Sequence, residues 1–574
     1  NTIWLPVPEA ATEQYEVFEK FSLKVQICTV SNFPEILLSF EGTSKVLKKS
    51  VAELITDISP TCFNWVMVNN QLHRFEDLID DEVNDYENVN PVLNYELARE
   101  LGFPPIIPSK ENKYKNYRNK IHSFYKAFLN TKEFREVIPL HGTGFLEVNP
   151  SLINTTNWDS NQMIFGDNQV DIVPHNGIKT NGPYAKTPYK KIHLFFILHH
   201  TDTETAKTVK AYLETGLSWF RGLNKYVKVL FHTEPGFSIR FNDKENPVQE
   251  IEQILSDRIF NPDIKYFAVY ITPYTKFEQD IQKREIYYKI KELLLKRDIP
   301  SQVIDSQKVS EQGADYVYSL TNISIAILAK LKGTPWRLKA PLKSELIVGV
   351  GAFKHIATDV QYIGSAFSFN NNGSFNRFEY FMKHELDILA GSISHQVREY
   401  ATVNSSPDRL IIHFYKTMSE EELEPIQKAL SDLKLDIPVF ILTINKTESE
   451  DLVAFDELWS DFMPYSGTYI NIGNRKFLLF NNTRYANLSF KASDGWPFPI
   501  KLRIECTHPK QLEESRVILE LIDQVYQFSR MYWKSVRQQN LPVTIKYPEM
   551  VAQIAPHFDG LEIPQFGKDN LWFL

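Results

Sequence analysis

The sequence predicts a multidomain α/β protein, and three observations predict it. A length of 574 residues is more than one hydrophobic core holds, so three or four domains are expected. Hydrophobic residues make up 43% and aromatics 13%, the composition of a packed globular chain. From residue 192 onward, continuous apolar runs alternate with helical patterns, as in a parallel sheet covered on both faces.

Residues 1 to 95 mix short strand-like runs ("FSLKVQICTV", "PEILLSF", "CFNWVMV") with turn residues and read as a small α+β domain. Residues 96 to 190 read as a linker region. Within it, "NKYKNYRNKIHSFYKAFL" (112 to 129) is a basic, aromatic-rich helix, and 145 to 190 is rich in Asn, Gly and Pro without periodicity. Residues 191 to 340 alternate strands and helices: "IHLFFILHH", a helix at 203 to 220, "VKVLF", "PVQEIEQILSDRI", "YFAVYITP", a helix to about 297, "SQVID" and "SLTNISIAILAKL". This is a Rossmann-like parallel sheet, and in such sheets ligands sit beyond the carboxyl ends of the strands, near helix N-termini. Residues 341 to 574 open with the strands "ELIVGVGAF" and "VQYIGSAFSF" and a helix at 384 to 403. Strand "RLIIHFYK", helix "SEEELEPIQKALSDL", strand "PVFILTIN", hairpin "TYINIGNRKFLLFNN" and strand "PIKLRIE" follow, then a long helix at 509 to 535 and "LPVTIKYPEMVAQI". Consecutive strands followed by αβα match an RNase H-like layout.

The net charge of -8 is unevenly spread. Residues 1 to 100 hold 17 acids and 7 bases, with "EDLIDDEVNDYE" (76 to 87) the densest run, whereas 281 to 340 hold 11 bases and 6 acids. A polyanion is steered by such a local basic region more than by the total. Cys28, Cys62 and Cys506 form no CxxC pair, which argues against a zinc site or a disulfide framework and fits a reducing cytoplasm. No apolar run approaches the ~20 residues of a membrane-spanning helix. His193, His199, His200, His413 and His508 show no metal-ligand spacing.

In "REIYYKIKELLLKRDIPSQ" (284 to 302), Ile286, Ile290, Leu293 and Leu294 form one apolar face, while Tyr287 and Lys291 stand four apart on another. Such a pair usually decorates a solvated face; two lysines, a Tyr hydroxyl and a Gln amide brought together would instead suit a phosphate.

The segments "YYKIKELLLKRDIPSQ", "NISIAILAKLKGTPWRL" and "LPVTIKYPEMVA", with the apolar tail "DNLWFL", resemble prokaryotic Argonaute proteins over about 190 to 574. The resemblance implies a MID-like domain at 191–340 and a PIWI-like domain at 341–574, with an N-like domain at 1–95 and a reduced or absent PAZ domain within 96–190. It implies that Tyr287, Lys291, Gln302, Asn322 and Lys330 bind the 5′-phosphate of a guide strand. A Mg²⁺ or Mn²⁺ ion there would be held by Gln302 and the C-terminal carboxylate of Leu574. RNA is the favoured guide and DNA the favoured complementary target.

In the same resemblance, an active PIWI domain clamps two metal ions with carboxylates. The positions that correspond hold Gly351 in "LIVGVG", Tyr415 in "HFYK" and Glu549 in "YPEMVA". One Glu does not hold two cations, so no catalytic residue is assigned and no slicing is expected. The alternatives are an endonuclease using other carboxylates, such as Asp359, Glu385 or Asp387, and a nucleotide-sensing or scaffold protein that lost guide binding. Inactive prokaryotic relatives imply a role in defence against plasmids or phages through a separate effector protein.

Overall fold

The acidic N-terminal third folds around two small antiparallel sheets. Strands β1 (Thr2–Pro6), β2 (Tyr15–Ile27) and β3 (Pro34–Leu47) form the first, and β4 (Trp65–Val68), β5 (Gln71–Arg74) and β6 (Val89–Pro91) the second. Leu47, Val51, Phe63, Val66, Phe75 and Leu97 bury their side chains between the second sheet and its flanking helices. The computed structural model describes residues 2–27, 31, 33–80, 86–103, 112–142, 144–274, 278, 280–354, 361–369, 373, 377–382, 386–403, 407–445, 452–486, 498–537, 539–559 and 563–574. Cys28, Asp359 and Glu385, and the side chain of Asp387, lie outside them. Among the described residues no helix is long and apolar enough to cross a membrane.

The basic helix of the linker region forms as predicted, as α1 (Lys113–Phe124) continued by a π turn to Leu129. Its charge is used inside the protein. Lys115 pairs with Asp461 at 3.2 Å, Arg118 with Glu457 at 3.0 Å, and Lys120 with Glu19. Tyr114 and Tyr117 are buried against Phe455 and Phe498. The helix thereby fastens the N-terminal sheets to the C-terminal part.

The Asn/Gly/Pro-rich stretch is woven into the neighbouring sheets. Strand β7 (Ile153–Thr155) joins the large C-terminal sheet, and β8 (Met163–Ile164) pairs with β9 (Val170–Asp171). Asp523 accepts from the Ser160 hydroxyl at 2.6 Å and the Asn157 amide at 3.2 Å. A short helix α2 (Pro174–Asn181) completes the stretch. Strands of two or three residues are too short to leave a period in the sequence.

The parallel module follows the predicted alternation: β10 (Ile192–His199), α3 (Thr203–Glu214), β11 (Ile239–Phe241), α4 (Pro247–Ser256), β12 (Lys265–Thr272), α5 (Ile281–Leu295), β13 (Ser301–Asp305) and α6 (Tyr316–Lys330). The strand order is β11-β10-β12-β13, all parallel. The strand expected at "VKVLF" is not there. Leu223–Val227 is a short helix ended by Lys228 in a left-handed conformation (φ 59°), and the edge of the sheet falls to Ile239–Phe241. Strand β14 (Arg337–Leu338) leaves this module and pairs with β8.

The C-terminal module is a nine-stranded sheet in the order β17-β16-β15-β18-β19-β22-β21-β20-β7. It comprises β15 (Glu345–Lys354), β16 (Gln361–Phe369), β17 (Arg377–Met382), β18 (Arg409–Phe414), β19 (Val439–Asn445), β20 (Thr468–Asn471), β21 (Lys476–Leu479) and β22 (Ile500–Cys506). Three antiparallel strands precede β18 and β19, which run parallel to β15, as the RNase H-like layout predicts. Helices α7 (Leu386–Val403) and α8 (Glu420–Asp432) cover one face through Leu389, Ile393, Ile426 and Leu430. Helices α9 (Ser515–Phe528) and α10 (Val543–Ile554) cover the other. The predicted long helix at 509 to 535 is the shorter α9, preceded by a 3-10 turn at Pro509–Leu512. The core under α9 and α10 is continuous with that of the parallel module, so the two modules share one interior.

Candidate nucleic-acid 5′-end site

Helix α5 starts at Asp280, whose carboxylate accepts from the Gln282 and Lys283 amides. Its predicted apolar face is buried: Ile286, Ile290, Leu293 and Leu294 are at most 7% exposed. Tyr287 and Lys291 lie one turn apart on an adjacent face. The Lys291 ammonium sits 5.4 Å from the Tyr287 ring centroid and 5.9 Å from that of Trp572. Lys291 is 3% exposed. Burial, with the nearby charge of Lys534, lowers its ammonium to about 7. Burial also pushes the Tyr287 phenol up, so its hydroxyl stays protonated.

Lys330, the last residue of α6, is buried and reaches back to the start of β13. Its ammonium donates to the Ser301 carbonyl at 2.8 Å and to Gln302 Oε1 at 2.9 Å. Burial, then the charges of Lys291 and Lys534, lowers it well below the usual lysine range. Two buried lysines, Lys291 and Lys330, therefore lie close enough to repel each other, and the exposed Lys534 adds to the repulsion. The Asn322 side chain is engaged elsewhere: Oδ1 accepts from the Val536 amide at 3.0 Å and Nδ2 donates to the Tyr318 carbonyl at 3.3 Å. It ties α6 to the loop that carries Lys534.

The C-terminal tail closes one side. Asn570, Leu571, Trp572, Phe573 and Leu574 are all buried, and Asn570 Nδ2 donates to the Lys330 carbonyl at 2.7 Å. Among the described residues, Asn570 Oδ1 has no hydrogen-bond partner although it is buried. The structure thus brings Tyr287, Lys291, Gln302 and Lys330 together and runs the tail ending at Leu574 beside them. Lys534, Asn570 and Trp572 were not singled out from sequence. The pocket also lies away from the predicted place: Gln302 is at the amino end of an edge strand and Lys330 at a helix C-terminus. The charge comes from lysine side chains rather than from helix N-termini.

In the C-terminal module, Gly351 on β15 stands level with Tyr415, one residue beyond the Val350–Phe414 pair. A Cβ built at Gly351 would lie 2.5 Å from the Ile545 carbonyl oxygen and 2.8 Å from the Glu549 amide nitrogen. Gly349 and Gly364 meet the backbone of Thr544 and Pro548 in the same way, so α10 lies directly on three glycines. Glu549 pairs with Lys546 at 3.1 Å. His413 Nδ1 lies 2.7 Å from the Thr544 hydroxyl, and burial lowers the ring to about 3, so it is neutral. The Tyr415 phenol is pushed up to about 12, first by burial and then by Glu422. Among the described residues no three His, Cys, Asp or Glu side chains gather as a metal centre would require.

The Piwi domain profile matches residues 279–558, beginning just before α5 and ending past α10. A Piwi protein of Archaeoglobus fulgidus is 26% identical over 315 residues, half of this chain and 72% of that protein. The Argonaute of Cereibacter sphaeroides is 24% identical over 329 residues, 51% of this chain but 41% of its own length. The fold is similar to the crystal structure of Drosophila Piwi, with a TM-score of 0.68 at 14% identity over 100% of this chain and 83% of that one. It is also similar to the Marinitoga piezophila Argonaute in complex with 5′ OH guide RNA, with a TM-score of 0.65 at 13% identity over 98% of this chain and 84% of that one. Residues 279–558, just under half of the chain, thus match the Piwi domain, and the chain is similar to Piwi and Argonaute proteins in sequence and in fold.

Proposed function

We propose that this protein anchors the 5′-phosphate of a guide strand between α5 and α6 and binds a complementary strand without cutting it. The observation that carries this reading is the buried Lys291 ammonium, which shares its surroundings electrostatically with the buried Lys330 and with the exposed Lys534. Such a group is costly to bury alone, and an entering dianion would relieve the cost. The Tyr287 ring offers a surface for the first base, a stacking contact of ~1–3 kcal/mol in comparable sites. Base pairing would supply sequence specificity, with RNA guide and DNA target the favoured pair.

A divalent cation fits beside the phosphate. Gln302, through Oε1, and the terminal carboxylate of Leu574 would hold it, and oxygen donors suit Mg²⁺ or Mn²⁺. The partnerless Asn570 Oδ1 supports this fit, since the pocket wall has an oxygen to spare. When bound, the ion would add positive charge against the phosphate oxygens.

The absence of slicing rests on Gly351 and Tyr415, neither of which offers an anionic oxygen at neutral pH. In domain terms, 1–95 is the N-like region, 96–190 the linkers with a reduced or absent PAZ domain, 191–340 the MID-like domain and 341–574 the PIWI-like domain. A cytoplasmic role in prokaryotic defence through a separate effector follows from the family resemblance.

The test is a binding comparison between 5′-phosphorylated and 5′-hydroxyl strands of one sequence. The phosphorylated strand should bind more tightly, and Lys291→Ala with Lys330→Ala should weaken it tenfold or more, since charge-assisted contacts contribute roughly 1.5–3 kcal/mol each. Equal affinity for the two ends refutes the pocket. The Marinitoga neighbour holds a 5′ OH guide RNA, so the outcome is not decided by the shared fold.

A further inference from the structure

Helix α5 has a third face, partly packed against the core, which the pocket does not use. Glu285, Tyr288 and Glu292, at i, i+3 and i+7, meet residues 557 to 559 beyond the end of α10. The His557 ring stacks on Tyr288 with centroids 4.0 Å apart and planes 5° from parallel. His557 Nδ1 lies 2.8 Å from Glu285 Oε1, and the Asp559 amide donates to Glu292 Oε2 at 3.0 Å.

Two contact paths lead from this clasp into the pocket. Tyr288 touches Tyr287 edge-on at 4.9 Å. Phe558, next to His557, packs 5.2 Å from Trp572, whose ring lies 5.9 Å from the Lys291 ammonium. One turn, Ala555–His557, joins the clasp to α10, the helix seated on Gly349, Gly351 and Gly364.

We propose that His557 is a positioning residue for the 5′-end pocket. Through Tyr288 and Glu285 it holds α5 at the rotation that aims Tyr287 and Lys291 at the phosphate, and it links the pocket to α10. It contacts no guide atom itself. The inference rests on the guide-pocket reading above, and one measurement separates the two.

Affinities of 5′-phosphorylated and 5′-hydroxyl strands are measured on the full chain as wild type, His557→Ala, His557→Phe and Glu285→Gln. Loss of one aligned charged contact predicts that His557→Ala lowers the phosphate-to-hydroxyl affinity ratio by about tenfold. His557→Phe, which keeps the ring, should recover part of it. Glu285→Gln keeps the shape of the clasp and should lower the ratio in the same direction, which covers the case where His557→Ala does not fold. A purely structural role would weaken both strands equally and leave the ratio at the wild-type value in every variant, and that result overturns the proposal. A wild type with no phosphate preference overturns the pocket reading, and this inference with it.

Discussion

Raising the pH from 7 to 9 should weaken guide binding, and Lys291 is the reason. In the free protein its ammonium titrates at about 7, first because it is buried and second because Lys534 is near. A bound dianionic phosphate favours the charged form and raises that value again. The lysine then takes up a proton on binding at pH values between about 7 and its raised value in the complex. Affinity is highest where the free lysine is already charged, and it falls as pH rises. If the bound lysine returns to an ordinary value near 10.4, the charged fraction of the free form drops from about a half to about a hundredth between pH 7 and 9. That is a loss of ~50-fold, on the order of 2 kcal/mol. Lys330, also lowered by burial, works in the same direction. The phosphate itself is nearly fully ionised above pH 7, its second ionisation lying near ~6. The assay is fluorescence polarisation of a 3′-labelled, 5′-phosphorylated strand from pH 6.5 to 9 at constant ionic strength. Lys291→Gln should flatten the slope. An affinity independent of pH between 7 and 9 refutes the reasoning. The guide-free protein should show the opposite trend. Its unfolded lysine holds a proton that the folded one lacks between pH 7 and about 10.4, so stability to denaturant should rise with pH across that window.

Adding residues after Leu574, or chelating divalent ions, should impair loading of the phosphorylated strand. Loading insensitive to both would mean that the lysines alone neutralise the phosphate. Protein loaded with guide should bind a complementary strand and leave it uncut in Mg²⁺ or Mn²⁺, and Glu549→Ala should change nothing; guide-dependent cutting at one position, lost in Glu549→Ala, refutes this. Gly351→Asp should not restore cutting, because the new side chain meets the backbone of α10; the overpacking should cost about 1–3 kcal/mol in urea denaturation.

The spacing of Ile286, Ile290, Leu293 and Leu294 makes the buried face of α5 legible in the sequence, because 3.6-residue periodicity is a local property. The parallel alternation is legible for the same reason. Tyr287, Lys291, Gln302 and Lys330 can be picked out because they lie in motifs within 44 residues of one another. Asn570 and Trp572 reach the same pocket from more than 200 residues away, and only the packing of the two modules places them there. "VKVLF" misleads because five apolar and basic residues read as a strand, while a left-handed Lys228 turns the chain after Val227. The engagement of Asn322 with Val536 leaves no sequence signal, since its partner is a backbone amide of the other module.

The three residues of β7 set where this polypeptide can be divided. The register Thr468–Thr155, Tyr469–Asn154 and Ile470–Ile153 makes β7 the outermost strand beyond β20. A fragment beginning at residue 191 would lose that strand and leave β20, with its buried Tyr469 and Ile470, as a bare sheet edge. The boundary suggested by composition is therefore a poor place to cut. Recombinant fragments that start there should self-associate, whereas those that start before Ile153 should stay monodisperse in size-exclusion chromatography.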